Sequence, residues 1–114
     1  MNKRKLGKKY EELASKYLIA KNYKIIETNF FSRFGEIDII ARDVDYLVFI
    51  EVKFRNSRDY GYGYESVNKL KQNHIMKTAK FYMYKKKINL NSKVRFDVLS
   101  FDRQNITLFK NAFP

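Results

Sequence analysis

The sequence predicts a single α/β domain in which helices flank a mixed central β-sheet, and three observations lead to this prediction. The chain has 114 residues, a length typical of one domain, so we expect the domain to span residues 1–114. Hydrophobic residues make up 45% of the chain and aromatic residues 17%, enough apolar surface for a globular core. Hydrophobic periodicity predicts the element order α-β-β-β-α-β-β.

The first predicted helix covers residues 6–21, because its apolar residues recur at helical spacing. These residues are Leu6, Tyr10, Leu13, Ala14, Tyr17 and Leu18. Glu11 lies beside this apolar stripe, at the edge of the face that we expect to be buried. Asn22 is a helix-stop residue, and residues 23–31 are rich in large apolar side chains, which predicts the first strand.

The second predicted strand covers residues 36–41, where polar and apolar side chains alternate. Side chains alternate between the two faces of a strand. The pattern therefore predicts Glu36 and Asp38 on one face and Ile37 and Ile39 on the other.

The remaining elements follow from local patterns. Residues 42–45 predict a short turn that joins the second strand to a long apolar strand over 46–55, so these strands should form a β-hairpin. Helical spacing predicts a second helix over 65–86, and alternation predicts strands over 93–101 and 106–109. The residues expected to face inward on the second helix are Leu70, Ile75, Ala79, Tyr82 and Met83.

The charge of the chain indicates a polyanionic partner. Lysine and arginine number 24 against 12 acidic residues, which gives a net charge of +12. Residues 36–51 contain five carboxylates and one arginine, so this segment carries −4 and the other 98 residues carry +16. An acidic segment in a basic protein repels phosphate, and a divalent cation between carboxylate and phosphate removes that conflict.

Several classes of protein are disfavoured by the sequence. There is no cysteine, which excludes disulfides and thiolate metal sites and suits a reducing compartment. The amino terminus lacks the apolar segment of a secretory signal, and no apolar run is long enough to span a bilayer. We therefore expect a cytoplasmic protein that binds nucleic acid, most readily DNA, and not a membrane.

Charged residues in the most apolar strand point to the chemistry. Glu51 and Lys53 are two positions apart, so both project from one face of the strand, and burying such charges without compensation is costly. Asp38 comes from the neighbouring strand of the predicted hairpin, about 5 Å away. We expect Asp38, Glu51 and Glu36 to bind Mg²⁺ (or Mn²⁺) for phosphodiester hydrolysis, with Lys53 stabilising charge on the phosphate. Glu11 could reach the same place from the first helix.

Basic and aromatic residues near this site are expected to contact nucleic acid. They are Arg55, Tyr62, Lys69 and Lys71. Tyr62 could stack on an unpaired base or pack on the domain, and the lysines could bind phosphates or form a solvated face. Lys71 lies nearest the inward stripe of the second helix. Asp97 is expected to have a structural role near Arg95.

Asp38 followed by Glu51-Val52-Lys53 resembles the PD-(D/E)xK pattern of restriction-endonuclease-like proteins. Longer blocks of the chain, in order, resemble the bacterial YraN family, also called UPF0102. They are GKKYEELASKYL at 7–18, NFFSRFGEIDIIARD at 29–43, LVFIEVKFR at 47–55 and RFDVL at 95–99. The resemblance implies a restriction-endonuclease-like fold close to archaeal Holliday-junction resolvases, with Asp38, Glu51 and Lys53 as active-site residues and Glu11 as the helical carboxylate. Since such resolvases act as dimers, it also implies a homodimer.

Three functions are compatible with these observations. The first is a metal-dependent endonuclease for branched or single-stranded DNA. The second is a catalytically inactive nucleic-acid-binding module of the same fold, a possibility raised by Tyr10, which stands where families of this type usually have glycine. The third is a basic accessory protein that binds another protein or ribosomal RNA.

Overall fold

The computed structural model describes residues 3–54, 68–102 and 105–113, with side chains from Gly7 onward. Its helices and strands follow the predicted order and confirm the α/β class. They are α1 (Lys3–Ala20), β1 (Lys24–Ser32), β2 (Gly35–Asp43), β3 (Tyr46–Phe54), α2 (Lys69–Lys85), β4 (Val94–Phe101) and β5 (Ile106–Phe109). No described helix has both the length and the apolar character needed to cross a membrane.

The five strands form one mixed sheet in the order β1-β2-β3-β4-β5. Neighbouring strands are antiparallel except β3 and β4, which are parallel and whose connection contains α2. Ala14 and Leu18 of α1 belong to one hydrophobic cluster, and Ile75 and Tyr82 of α2 belong to another. Each helix therefore covers a different face of the sheet.

The hairpin between β2 and β3 is tighter than predicted. The ladder continues through the pairs Arg42–Leu47 and Asp43–Tyr46, so only Val44 and Asp45 remain in the turn, and the predicted turn over 42–45 was too wide. Val44 has φ of 55°, a left-handed conformation that is strained for a β-branched residue. Hydrogen bonding between β2 and β3 outweighs the strain in the Val44 backbone.

The predicted strict alternation in β2 was wrong around Asp38. Ile37 packs in the cluster of α2, whereas Ile39 packs in the cluster of α1, so the two side chains lie on opposite faces. Pairing between β2 and β3 ends at Ile39–Ile50, and the Val52 N–H donates instead to Asp38 Oδ2 at 2.8 Å. Asp38 therefore stands where the two strands diverge.

The second helix begins later than the predicted residue 65. Asn68 is its N-cap, and the side chain of Asn68 accepts a hydrogen bond from the backbone N–H of Lys71 at 2.9 Å. Leu70, in the first turn, is 65% exposed, so its predicted inward position was wrong. The other four predicted inward residues are buried: Ile75, Ala79, Tyr82 and Met83.

Candidate metal and catalytic site

Three carboxylates from α1 and β2 converge at one end of the sheet. One oxygen from each of Glu11, Glu36 and Asp38 lies within 4.8 Å of the others. Asn29 of β1 orients Glu11, the carboxylate from α1, because Asn29 Nδ2 donates a hydrogen bond to Glu11 Oε2 at 2.8 Å. Asn29 has φ of 54°, a left-handed conformation that asparagine adopts more readily than most residues. The structure thus brings together residues that are far apart in sequence.

Asp38 lies between this carboxylate group and Glu51 of β3. Burial first, and then the nearby charges of Glu51 and Glu36, raise the pKa of Asp38 to about 8, against the lowering effect of the hydrogen bond from the Val52 N–H. The pKa of Glu36 is also raised, first by burial and then by the charges of Glu11 and Glu51. Burial is the main cause of both shifts, and repulsion between the carboxylates adds to it.

Two lysines approach Glu51, which is 6% exposed. Lys71 Nζ lies 2.6 Å from Glu51 Oε1, and Lys53 Nζ lies 3.7 Å from the same oxygen. Burial and the neighbouring Lys71 lower the pKa of Lys53. Burial also acts to lower the pKa of Lys71, but the contacts of Lys71 with Glu51 raise that pKa overall. Glu51 and Lys53 share a face, as their two-residue spacing predicts, and the structure adds Lys71 to them.

The predicted nucleic-acid-binding residues have different positions in the structure. Lys71 contacts a carboxylate of the site instead of lying on an open surface, whereas Lys69 is exposed at the first residue of α2. Arg55 and Tyr62 lie outside the described residues. Sequence reasoning did not find the contact of Lys71 with Glu51, because that contact depends on how α2 packs on the sheet.

Asn29 is a positioning residue that sequence reasoning missed. The available signal was an asparagine within the apolar strand region TNFF, since asparagine is depleted in strands and tolerates a left-handed backbone. Such a residue indicates a local distortion of the strand. Here the distortion directs the side chain toward Glu11.

The donor set of the cluster suits a divalent cation. Carboxylate oxygens are the hard ligands that Mg²⁺ and Mn²⁺ prefer, and Glu11, Glu36 and Asp38 each present one oxygen within 4.8 Å of the others. The raised pKa of Asp38 gives a second reason, because a cation among these oxygens would offset both the burial and the repulsion that disfavour ionisation. Glu51, also predicted to bind the metal, does not belong to this group of three carboxylates. Its carboxylate instead contacts Lys53 and Lys71.

A second charged network lies toward the other end of the sheet. Asp97 is fully buried and accepts hydrogen bonds from the Tyr23 hydroxyl at 2.9 Å, from Arg95 Nε at 2.9 Å and from the Asn111 N–H at 3.0 Å. Arg95 also contacts Asp43 at 2.8 Å. These charges are mutually compensated, so the arrangement is that of a structural network.

Comparison with known proteins identifies the family. The model of the uncharacterised protein family UPF0102 matches residues 10–101. A UPF0102 protein of Persephonella marina is 48% identical over 107 residues, covering 94% of this chain and 91% of the relative. A UPF0102 protein of Acetivibrio thermocellus is 46% identical over 122 residues, covering 98% and 93%. Another, of Fusobacterium nucleatum subsp. nucleatum, is 41% identical over 111 residues, covering 97% and 92%. The chain therefore belongs to the UPF0102 family.

Proposed function

We propose that this protein is a divalent-metal-dependent nuclease that hydrolyses phosphodiester bonds of nucleic acid, with DNA as the expected substrate. The observation that carries the proposal is the convergence of Glu11, Glu36 and Asp38 on one point, with Glu51 and its two lysines adjoining Asp38. Carboxylates that repel one another in the absence of a cation, next to ammonium groups, are suited to holding a metal and a phosphate together.

Glu11, Glu36 and Asp38 would hold the cation, and Asp38 also adjoins Glu51. When bound, the divalent cation polarises the phosphoryl group and acidifies a water molecule for attack on phosphorus. The Val52 N–H fixes the rotamer of Asp38, and the Asn29 amide fixes that of Glu11. These hydrogen bonds keep the ligand oxygens in place before the substrate binds.

Lys53 and Lys71 supply the positive charge that the developing phosphate anion needs. Their ammonium groups flank Glu51, and Lys53 Nζ can donate a hydrogen bond to a phosphoryl oxygen. Because burial and Lys71 lower the pKa of Lys53, its Nζ exchanges a proton more readily than an ordinary lysine does. Lys71 compensates Glu51 at 2.6 Å, and a cation that compensated Glu51 instead would leave Lys71 free to bind the phosphate.

Two further features support the proposal, the first for a nucleic-acid partner and the second for a correctly placed helical carboxylate. The charge of +16 outside residues 36–51 favours a nucleic-acid backbone as the partner. The Tyr10 ring packs against Phe54 and Phe101, with centroid distances of 4.2 Å and 5.3 Å, so it anchors α1 and leaves Glu11 directed at the carboxylate cluster. Tyr10 therefore gives no reason to expect a misplaced helical carboxylate.

The direct test is cleavage of branched, single-stranded and duplex DNA with Mg²⁺, with Mn²⁺ and with chelator. We expect metal-dependent cleavage that falls by about 100-fold or more in Asp38→Asn and Glu51→Gln, because each removes charge from the metal site. Asp45→Asn is the matched control, since Asp45 is an exposed carboxylate in the hairpin turn.

Cleavage that persists in Asp38→Asn would show that a contaminating nuclease is responsible and would remove the assignment. Salt-sensitive DNA binding without cleavage under any metal would instead support the inactive binding module. If the protein binds RNA and DNA with equal affinity, and substitution of Asp38 or Lys53 does not change that affinity, the accessory-protein function is supported.

A further inference from the structure

We propose that the cleft between α1 and β1 binds an unpaired nucleobase beside the metal site, with Phe31 as its stacking platform. This inference rests on the proposed function, because it assigns a substrate class to the same site. It also makes a statement about binding that can be tested without catalysis.

The cleft has the dimensions of a ligand site. Its volume is about 850 Å³, within the range of about 300–1,000 Å³ that is usual for small-molecule pockets. One wall is the face of α1 that includes Gly7 and Ser15, and the opposite wall is β1 with Thr28 and Phe31. The lining combines the Phe31 ring and two hydroxyl groups with charged side chains of both signs, among them Glu12, around a space large enough for one nucleoside.

The cleft is continuous with the proposed metal site. Glu11 and Glu36 line the cleft and also belong to the carboxylate group that includes Asp38. A strand whose phosphate is held at Asp38 would therefore have an adjoining nucleotide at the mouth of the cleft. Lys8 and Lys16 of α1 also line it and can bind the phosphate of that nucleotide.

Phe31 has the features of a stacking residue. It is 68% exposed, although phenylalanine is usually buried, and it pairs in the ladder with Glu36 of the carboxylate group. Stacking of bases on aromatic side chains is a main source of affinity for single strands. In a duplex both faces of a base are covered by its neighbours, so the Phe31 ring selects unpaired bases.

The first experiment measures quenching of 2-aminopurine in single-stranded DNA and RNA oligonucleotides, in chelator so that no cleavage occurs. We expect Phe31→Ala to weaken single-strand binding by about 5- to 150-fold, and Phe31→Trp to restore it. Tyr84→Ala is the matched control, because Tyr84 is an 81% exposed aromatic residue on α2, and it should bind as the parent protein does. The affinity for a blunt duplex of the same sequence should not change in Phe31→Ala.

A second pair of variants tests the cleft itself. A Cβ atom at Gly7 would meet no other atom within 4 Å, so a side chain can be introduced there without a clash. Gly7→Leu should fill the cleft and weaken single-strand binding, whereas Gly7→Ala adds only a methyl group and should bind normally. Both substitutions favour helix formation, and circular dichroism verifies that the fold is retained.

Parent-like single-strand binding by both Phe31→Ala and Gly7→Leu overturns the inference, as does an equal loss of duplex binding in Phe31→Ala. The outcomes separate this inference from the proposed function. If quenching depends on Phe31 but the protein cleaves no nucleic acid with any metal, the base-binding site is supported and the nuclease function is ruled out. If cleavage of single strands depends on Asp38 but is unchanged in Phe31→Ala, the nuclease function is supported and the base-binding site is ruled out.

Discussion

The molecule contains two clusters of carboxylates and cations on its central strands, and they are balanced differently. Around Asp97, the described residues include two carboxylates and two cations, namely Asp43, Asp97, Arg95 and Lys110, joined by contacts of 2.8 to 3.7 Å. Around Asp38, they include four carboxylates and two cations: Glu11, Glu36, Asp38, Glu51, Lys53 and Lys71. With every group ionised, the same residue types form a neutral network in one place and a cluster with two excess negative charges in the other, and the raised pKa of Asp38 partly relieves that excess.

The difference separates a stabilising role from the role that we propose for the Asp38 cluster. A buried carboxylate that accepts several hydrogen bonds from cations and hydroxyl groups supports the native state, and breaking such a group is costly. Carboxylates that raise one another's pKa oppose folding unless a ligand binds between them. The charge balance of a cluster thus distinguishes its role better than the number of acidic residues in it.

Asp97→Ala should produce the largest loss of stability. The substitution leaves Arg95 without its main partner and removes the acceptor of the Tyr23 hydroxyl, so we expect the free energy of unfolding to fall by about 3–5 kcal/mol. Urea denaturation followed by circular dichroism measures this change. A loss below about 1 kcal/mol would contradict the role assigned to the network.

Asp38→Asn should change stability in the opposite direction in the metal-free protein. The folded pKa of about 8 exceeds the unfolded value, so folding favours the protonated carboxyl, and the parent protein loses stability as pH rises from about 4 to about 8. Asparagine resembles the protonated form and does not titrate. The variant should therefore melt about 4 °C or more above the parent at about pH 9, with a difference that shrinks toward about pH 4.

Thermal melts of both proteins in chelator, at several pH values, measure this difference. Added Mg²⁺ should raise the melting temperature of the parent protein and not that of the variant. A variant that is less stable than the parent protein at high pH would mean that Asp38 is compensated in the native state, as Asp97 is.

The sequence predicted the part of this comparison that depends on local pattern. Two-residue spacing in one strand is enough to put Glu51 and Lys53 on a common face, and helical periodicity identified four buried residues of α2. The opposite faces of Ile37 and Ile39 were not predictable, because they depend on the divergence of β2 from β3 and on the distortion at Asn29. The contact of Lys71 with Glu51 likewise depends on tertiary packing.

Lys71→Met should have a smaller effect, on metal affinity. The substitution removes a positive charge 2.6 Å from Glu51, so Mg²⁺ or Mn²⁺ should bind roughly 3- to 10-fold more tightly, while cleavage becomes slower. Isothermal titration calorimetry measures the affinity. Lys69→Met is the matched control, because Lys69 is an exposed lysine on the same helix and should leave metal affinity nearly unchanged. Weaker metal binding in Lys71→Met would show that the lysine supports the metal ligands instead of competing with the cation.

Asp45→Ala should have the smallest effect. Asp45 contacts Lys93 at 2.7 Å, as short as the contact between Arg95 and Asp43, but both side chains are about 60% exposed. Solvent screens such a pair, so the melting temperature should match that of the parent protein within error. A clear destabilisation would mean that contact distance outweighs burial in this protein.

The divergence of β2 from β3 has a consequence for cooperativity. Glu11 comes from the helix on one face of the sheet, and Lys71 comes from the helix on the other, yet both act around the opening at Asp38. A ligand held there would link the two layers, so local opening of either helix would require its release. Ligand binding should therefore slow amide hydrogen exchange in both helices together, and the two layers would unfold as one unit.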